Sequence, residues 1–98
     1  LENRHRLIVY DIRDSKRLSK VEKIMESFAW RVQKSVFESY APETTMELLK
    51  RQLEKVIDKA EDFVLFFDVC ERDWQKQEKY GIGSKDCERM SDDKFLIL

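Results

Sequence analysis

Apolar side chains in this chain change their spacing in a set order, and that order leaves few folds open. Leu7-Ile8-Val9-Tyr10 is an unbroken apolar run inside Arg6 to Ile12, which reads as a buried strand. After Arg13-Asp14-Ser15, apolar residues recur at Leu18, Val21, Met25 and Phe28, the three-and-four spacing of one helix face. Asp14 or Ser15 can cap that helix by accepting from a free backbone N–H. Trp30 to Tyr40 is rich in β-branched and aromatic residues and reads as strand, but it is long for one strand. A tight reversal or bulge is expected near Lys34-Ser35. Past Pro42, a second helix carries Met46, Leu49, Leu53, Val56 and Ile57 on one face. Thr44 and Glu47 fit a capping box at its start, and Glu47 can pair with Arg51 one turn later. Phe63 to Cys70 is the next strand, with Cys70 as a small core residue. The polar stretch 71–94 is expected to be irregular, with one helical turn around Trp74. Phe95-Leu96-Ile97-Leu98 reads as a final short strand.

This β-α-β-β-α-β order specifies an α+β ferredoxin-like sandwich, an antiparallel sheet with both helices on one face. The 98 residues make a single domain over 1–98, with its core at about 6–70. Such a sheet alternates apolar and polar residues when its second face is wet. Here the first strand does not alternate, and Phe63-Val64-Leu65-Phe66-Phe67 is apolar on both faces. A second copy of the chain is the simplest cover, so a homodimer is expected. The terminal 95–98 strand suits pairing onto the dimer mate's sheet edge.

Composition excludes more than it assigns. Basic and acidic residues balance at 19 against 20, so net charge sets no bias toward nucleic acid. The distribution is uneven: residues 1–38 carry nine Lys and Arg against six Asp and Glu. That mild excess fits either phosphate contact or a plain solvated surface. Cys70 and Cys87 are too few for a disulfide scaffold and lack the close spacing of a zinc site. No stretch approaches the ~20 apolar residues of a membrane span, and no signal-peptide segment is present, so no membrane partner is expected. A reducing, cytoplasmic setting is the expectation. The front, opening on Leu1 rather than Met, reads as trimmed or tag-derived. Two Gly and one Pro leave no glycine-rich phosphate loop.

Asp11 carries the chemistry if any residue does. It stands where the first strand ends, held rigidly by the strand and opened to solvent by the loop. On residue type alone it reads first as a strand stop that helps form a turn. Arg13, Lys16, Arg17 and Lys20 flank it on the loop and first helix, placed for phosphates or simply on a solvated face. Arg31 and Lys34 have the same two readings, and contacts of this kind would position a duplex without reading its sequence. Asp14 would either support the metal site from behind Asp11 or, more simply, cap the first helix. His5 lies in the unanchored front, and Trp74 and Tyr80 are able to stack on bases or pack on a partner chain.

Two motifs together carry a resemblance. Tyr10-Asp11-Ile12 and Arg31-Val32-Gln33-Lys34-Ser35-Val36-Phe37-Glu38 fit the pattern of an apolar first strand ending Tyr-Asp, a helix, and an Arg-x-Gln-x-Ser-Val-Phe strand. A second helix and an apolar strand running into a small residue complete it. Over residues 6–70 the chain resembles the CRISPR-associated endoribonuclease family of the spacer-acquisition complex, the second Cas protein and small partner of the CRISPR integrase. Its 95–98 tail resembles the family's exchanged C-terminal strand. The resemblance implies a homodimeric, Mg2+-dependent endonuclease on RNA or double-stranded DNA, with Asp11 as catalytic residue and metal ligand. It also implies a subunit that bridges integrase dimers and holds incoming DNA. Ser35 and Phe37 match family positions near the site, where Ser35 would orient a water and Phe37 would pack beneath the metal loop or serve as plain core. Mg2+ takes hard oxygen ligands and keeps several waters, so one or two carboxylates suffice, and two Asp11 side chains across a dimer axis would supply them. Two alternatives stand beside this: a non-catalytic architectural subunit of the integrase complex, and a toxin-type endoribonuclease of related fold.

Overall fold

A computed structural model describes residues 2–81. Its elements are β1 (Arg4–Asp11), α1 (Ser15–Phe28), β2 (Trp30–Gln33), β3 (Val36–Ala41), α2 (Glu43–Glu54), β4 (Phe63–Val69) and a short α3 (Glu71–Gln75). All strand pairs are antiparallel and the sheet order is β2-β3-β1-β4, the ferredoxin-like arrangement. The expected strand at 95–98 and the segment from 82 to 94 lie outside the described residues.

The helix-facing side of the sheet is the core. Ile8, Tyr10 and Phe37 meet Val21 and Met25 of α1 and Met46, Leu49 and Leu53 of α2, all buried. Burying a side chain of this size is worth roughly 1.5–3 kcal/mol, so this one layer carries most of the stabilisation. Val56 and Ile57 fall beyond the end of α2 yet still pack against the core, so helical spacing over-extended that element. The β2–β3 reversal falls at Lys34-Ser35 as expected, with a register shift between Arg31 and Gln33. Asp14 is the cap of α1 and accepts from the Arg17 N–H. The expected capping box on α2 is absent: the helix starts at Glu43, and the Pro42 carbonyl accepts from the Thr45 and Met46 N–H groups. A proline at the cap has already set the chain direction, so Thr44 falls inside the first turn.

Arg6, at the start of the expected first strand, is one of the most buried polar residues. Its guanidinium donates to the Ala41 carbonyl at 2.9 Å and to Glu43 Oε1 at 2.7 Å, and pairs with Asp68 at 2.9 Å. One cation thus ties β1 to both neighbouring strands and to the start of α2, with every charge-bearing edge of the fork matched.

The other sheet face is the open one. β1 alternates in burial though not in residue type: Arg6, Ile8 and Tyr10 are buried, while His5, Leu7 and Val9 are half-buried on the far side. Along β4, Val64 and Phe66 pack inward, and Phe63, Leu65 and Phe67 stay 46–48% exposed. Their cross-strand partners Asp11, Val9 and Leu7 show that these residues share one face. The sheet is thus apolar on both sides, and the uncovered side is a continuous apolar strip rather than a second core.

Three expectations near α3 are corrected. Cys70 is exposed and caps α3; the strand stops one residue earlier, at Val69. His5 is not in a loose front: it pairs in β1 and stacks between Tyr40 at 4.4 Å and Trp74 at 4.2 Å. Trp74 is only 4% exposed, so it serves neither bases nor a partner chain. The His5 Nε2–Glu71 contact at 3.0 Å helps seat α3 against β1. Tyr80 stays 77% exposed and donates to Glu78.

Candidate active site

Chain direction brings four features to one end of the sheet. These are the end of β1, the Lys34-Ser35 turn, the start of β4 and the first turn of α1. The Tyr10 N–H donates to the Ser35 carbonyl at 3.2 Å, and the Tyr10 hydroxyl donates to the Lys34 carbonyl at 3.0 Å, so the turn is sewn to the end of β1. Asp11 is the next residue. Its backbone pairs opposite Phe63, and its side chain, about half exposed, lies on the open apolar face. The only described contact of the carboxylate is Arg13 Nη1 at 3.4 Å, long for an ion pair and exposed on both sides. A pair of this kind is worth ~1 kcal/mol at most, so the carboxylate is available to another cation.

The other predicted residues divide into those left available and those taken up by the fold. Arg13 in the loop after β1, Lys16 and Lys20 on α1, and Lys34 in the β2–β3 turn are all exposed. Arg17 is not available in the same way: its guanidinium donates to Asp62 at 2.8 and 3.2 Å and reaches Glu61 at 3.4 Å. Arg31 spans Glu22 and Glu26 of α1, donates to the Lys34 carbonyl at 2.8 Å, and lies over the Phe37 ring. Both arginines are thus engaged in ion pairs that tie α1 to neighbouring segments. Asp14 is taken up as the α1 cap, Ser35 sits exposed in the turn, and Phe37 is fully buried core. Tyr10, beside Asp11, is pushed up to about 12 by burial and by its hydrogen bond to Glu22. It therefore stays a neutral donor near pH 7 and does not serve as a proton acceptor there.

Sequence reasoning missed Asp62. Its side chain is fully buried and accepts from the Arg13 N–H at 2.9 Å and the Asp58 N–H at 2.9 Å as well as from Arg17. The Arg17 fork and the two backbone donors hold its carboxyl well below the usual carboxylate range, against the opposing effect of burial. The available signal was an acidic residue immediately before an apolar strand, which reads more simply as a loop residue. A carboxyl whose value is depressed by folding adds stability that is complete above its unfolded value of ~4 and lost as pH falls below it. Thermal unfolding followed from neutral pH down to about pH 2 is expected to show this loss. Asp62→Asn should start from a lower Tm at pH 7, and the difference from the native chain should shrink as the solution is acidified.

No group of three His, Cys, Asp or Glu side chains converges on a metal position among the described residues. At the described end of β1, Asp11 is the open carboxylate. For Mg2+, which holds most of its waters, that is a half-site: a single hard-oxygen ligand on a face that is itself uncovered.

The chain matches the profile of a protein family described as CRISPR associated protein Cas2 over residues 4–77. A CRISPR-associated endoribonuclease Cas2 of Chloroflexus aurantiacus is 35% identical over 77 residues, covering 79% of this chain and 83% of that protein. One from a Synechocystis species is 39% identical over 93 residues, covering 94% of this chain and 96% of the relative. Among solved structures, Streptococcus pyogenes Cas2 superposes with a TM-score of 0.67 at 30% identity, over 79% of this chain and 99% of that one. A chain of a partial Cas6-RT-Cas1–Cas2 complex shares the fold, with a TM-score of 0.68 at 22% identity over 78% of this chain and 83% of its own length.

Proposed function

The chain belongs to the Cas2 family of CRISPR-associated proteins, whose members act in CRISPR adaptation, and from that premise we propose that it works as a homodimer with two roles at one surface. It is a slow Mg2+-dependent endonuclease, and it is a platform that holds incoming DNA between integrase subunits. The curated relatives named above are endoribonucleases, which supports phosphodiester cleavage and puts RNA first among the substrates to test. The observation that carries the reading is the place of Asp11: a rigid strand-end carboxylate, weakly paired, on the same uncovered face as Phe63, Leu65 and Phe67.

With a symmetric partner laid on that face, the Asp11 carboxylates of the two chains would be the groups that hold Mg2+. Mg2+ bound there would acidify a water and offset charge on the phosphate oxygens. The protein's part is to fix two carboxylates, exclude bulk water with the apolar strip, and present phosphate-binding cations beside them. With one carboxylate per chain, metal affinity and rate are both expected to be low.

The second role rests on Arg13 in the loop after β1, Lys16 and Lys20 on α1, and Lys34 in the β2–β3 turn, all of them exposed. The Cas1–Cas2 assembly that contains a chain of this fold supports an integrase partner. Phosphate contacts of this kind fix register on a duplex and weaken steeply with salt. In an integration assay with the purified integrase, Lys16→Glu with Lys20→Glu is expected to lower spacer integration at least ~10-fold and to weaken duplex binding at every sequence. Asp11→Asn is expected to support integration at the native rate. Native integration by the doubly reversed variant contradicts the platform role.

A further inference from the structure

We propose that Asp62 is a positioning residue for Asp11: its buried carboxylate locks the loop after β1 onto the start of β4 and so fixes where the Asp11 carboxylate points. The proposal rests on the reading of Asp11 as the metal-binding carboxylate and deepens it.

The geometry makes Asp62 a three-way clamp. Phe63 pairs across from Asp11 as the first residue of β4, and Asp62 immediately precedes it. Its Oδ1 reaches over the end of β1 and accepts from the Arg13 N–H at 2.9 Å, two residues beyond Asp11. Its Oδ2 accepts from Arg17 Nε at 2.8 Å, in the first turn of α1, and from the Asp58 N–H at 2.9 Å. The ladder hydrogen bonds end at Asp11, so this carboxylate is what continues the order into the loop. On its far side Ile12 is held by burial.

The Asp11 side chain itself is held by almost nothing. Its described contact is one exposed arginine at 3.4 Å. Its direction therefore comes from its backbone, and the backbone there depends on the clamp. Displacing a reacting group by about 1 Å costs on the order of 100-fold in rate, and losing the partner that orients a metal ligand costs roughly 10–100-fold in affinity. Asp62 also sets the first turn of α1 against the same loop, so it fixes Lys16 relative to Asp11.

The test uses Asp62→Asn and Asp62→Ala in the full chain, with Leu49→Ala as a core truncation on α2 that lowers stability by another route. Mn2+ is the probe, because it broadens nearby amide resonances in proportion to occupancy. Cleavage of a single-stranded RNA is measured beside it, well below each variant's Tm. In the native chain, Mn2+ is expected to broaden Asp11, Ile12 and Arg13 first. In both Asp62 variants the Mn2+ midpoint is expected to rise ~10–100-fold and kcat to fall by a similar factor, with KM for RNA within about two-fold. Leu49→Ala is expected to match the native chain per folded molecule. Asp62 variants that fold and keep the native midpoint and kcat overturn the proposal, as does an equal loss in Leu49→Ala. A native chain in which Mn2+ leaves residues 11–13 sharp, or an Asp11→Asn chain that binds Mn2+ there unchanged, overturns the reading of Asp11 itself and the clamp's role with it.

Discussion

Asp11→Asn is expected to lower Mg2+-dependent cleavage by on the order of 100-fold or more while leaving the fold and the dimer intact. The amide keeps the shape of the side chain but removes the charge that a divalent cation requires, and the described residues hold no cluster of three metal-ligating side chains that could replace it. Stability should change little, because the side chain is half exposed and its one described partner, Arg13, is a long exposed pair. Surface substitutions of that kind fall within about 0.5 kcal/mol. The measurement is single-turnover cleavage of labelled RNA and duplex DNA with Mg2+ and with a chelator, beside a thermal melt. A variant that cleaves at the native rate removes Asp11 from the chemistry.

The second large effect concerns the open sheet face. Leu65→Asp is expected to convert a dimer into a monomer, raising the dissociation constant by a factor of ~1,000 or more. Leu65 lies in the middle of the exposed strip, opposite Val9 and between Phe63 and Phe67. In a symmetric pair each substitution appears twice, so two carboxylates would be buried close together without partners. In the monomer the same side chain is half in water, so the fold should survive. Sedimentation equilibrium over a range of concentrations reads the result directly. An unchanged dimer shows that the mate sits elsewhere and leaves the strip unexplained.

Periodicity was enough for the order of elements. Strand and helix spacing placed both helices and all four main strands within a few residues, and Lys34-Ser35 did mark the β2–β3 reversal. Periodicity failed where a single side chain or a cap decided the outcome. Val56 and Ile57 keep the helical spacing after α2 has ended, because the core still needs filling there. Cys70 continues the apolar run of β4 in sequence, but in the fold it turns the chain into α3.

The candidate site was legible at Asp11, whose place at a strand end follows from local pattern alone. The roles of the cations were not. Arg13, Arg17 and Arg31 look alike in sequence, and only tertiary structure shows that Arg17 meets the buried Asp62 while Arg31 bridges to α1. Asp62 itself is separated from its partners Arg13 and Arg17 by more than forty residues of chain, so no local pattern could pair them. Likewise His5 gains its place only when Tyr40 and Trp74 close on it from distant segments.

Two Asp11 side chains completing one site across a dimer is the most exposed element of the proposed mechanism. It is tested by titrating Asp11→Asn chains into native chains at constant total protein, with the dimers re-equilibrated before assay. If both carboxylates are needed, mixed dimers are inactive, and cleavage is predicted to fall as the square of the native fraction. A fall in direct proportion to that fraction would show that each Asp11 works alone, and would contradict the shared site.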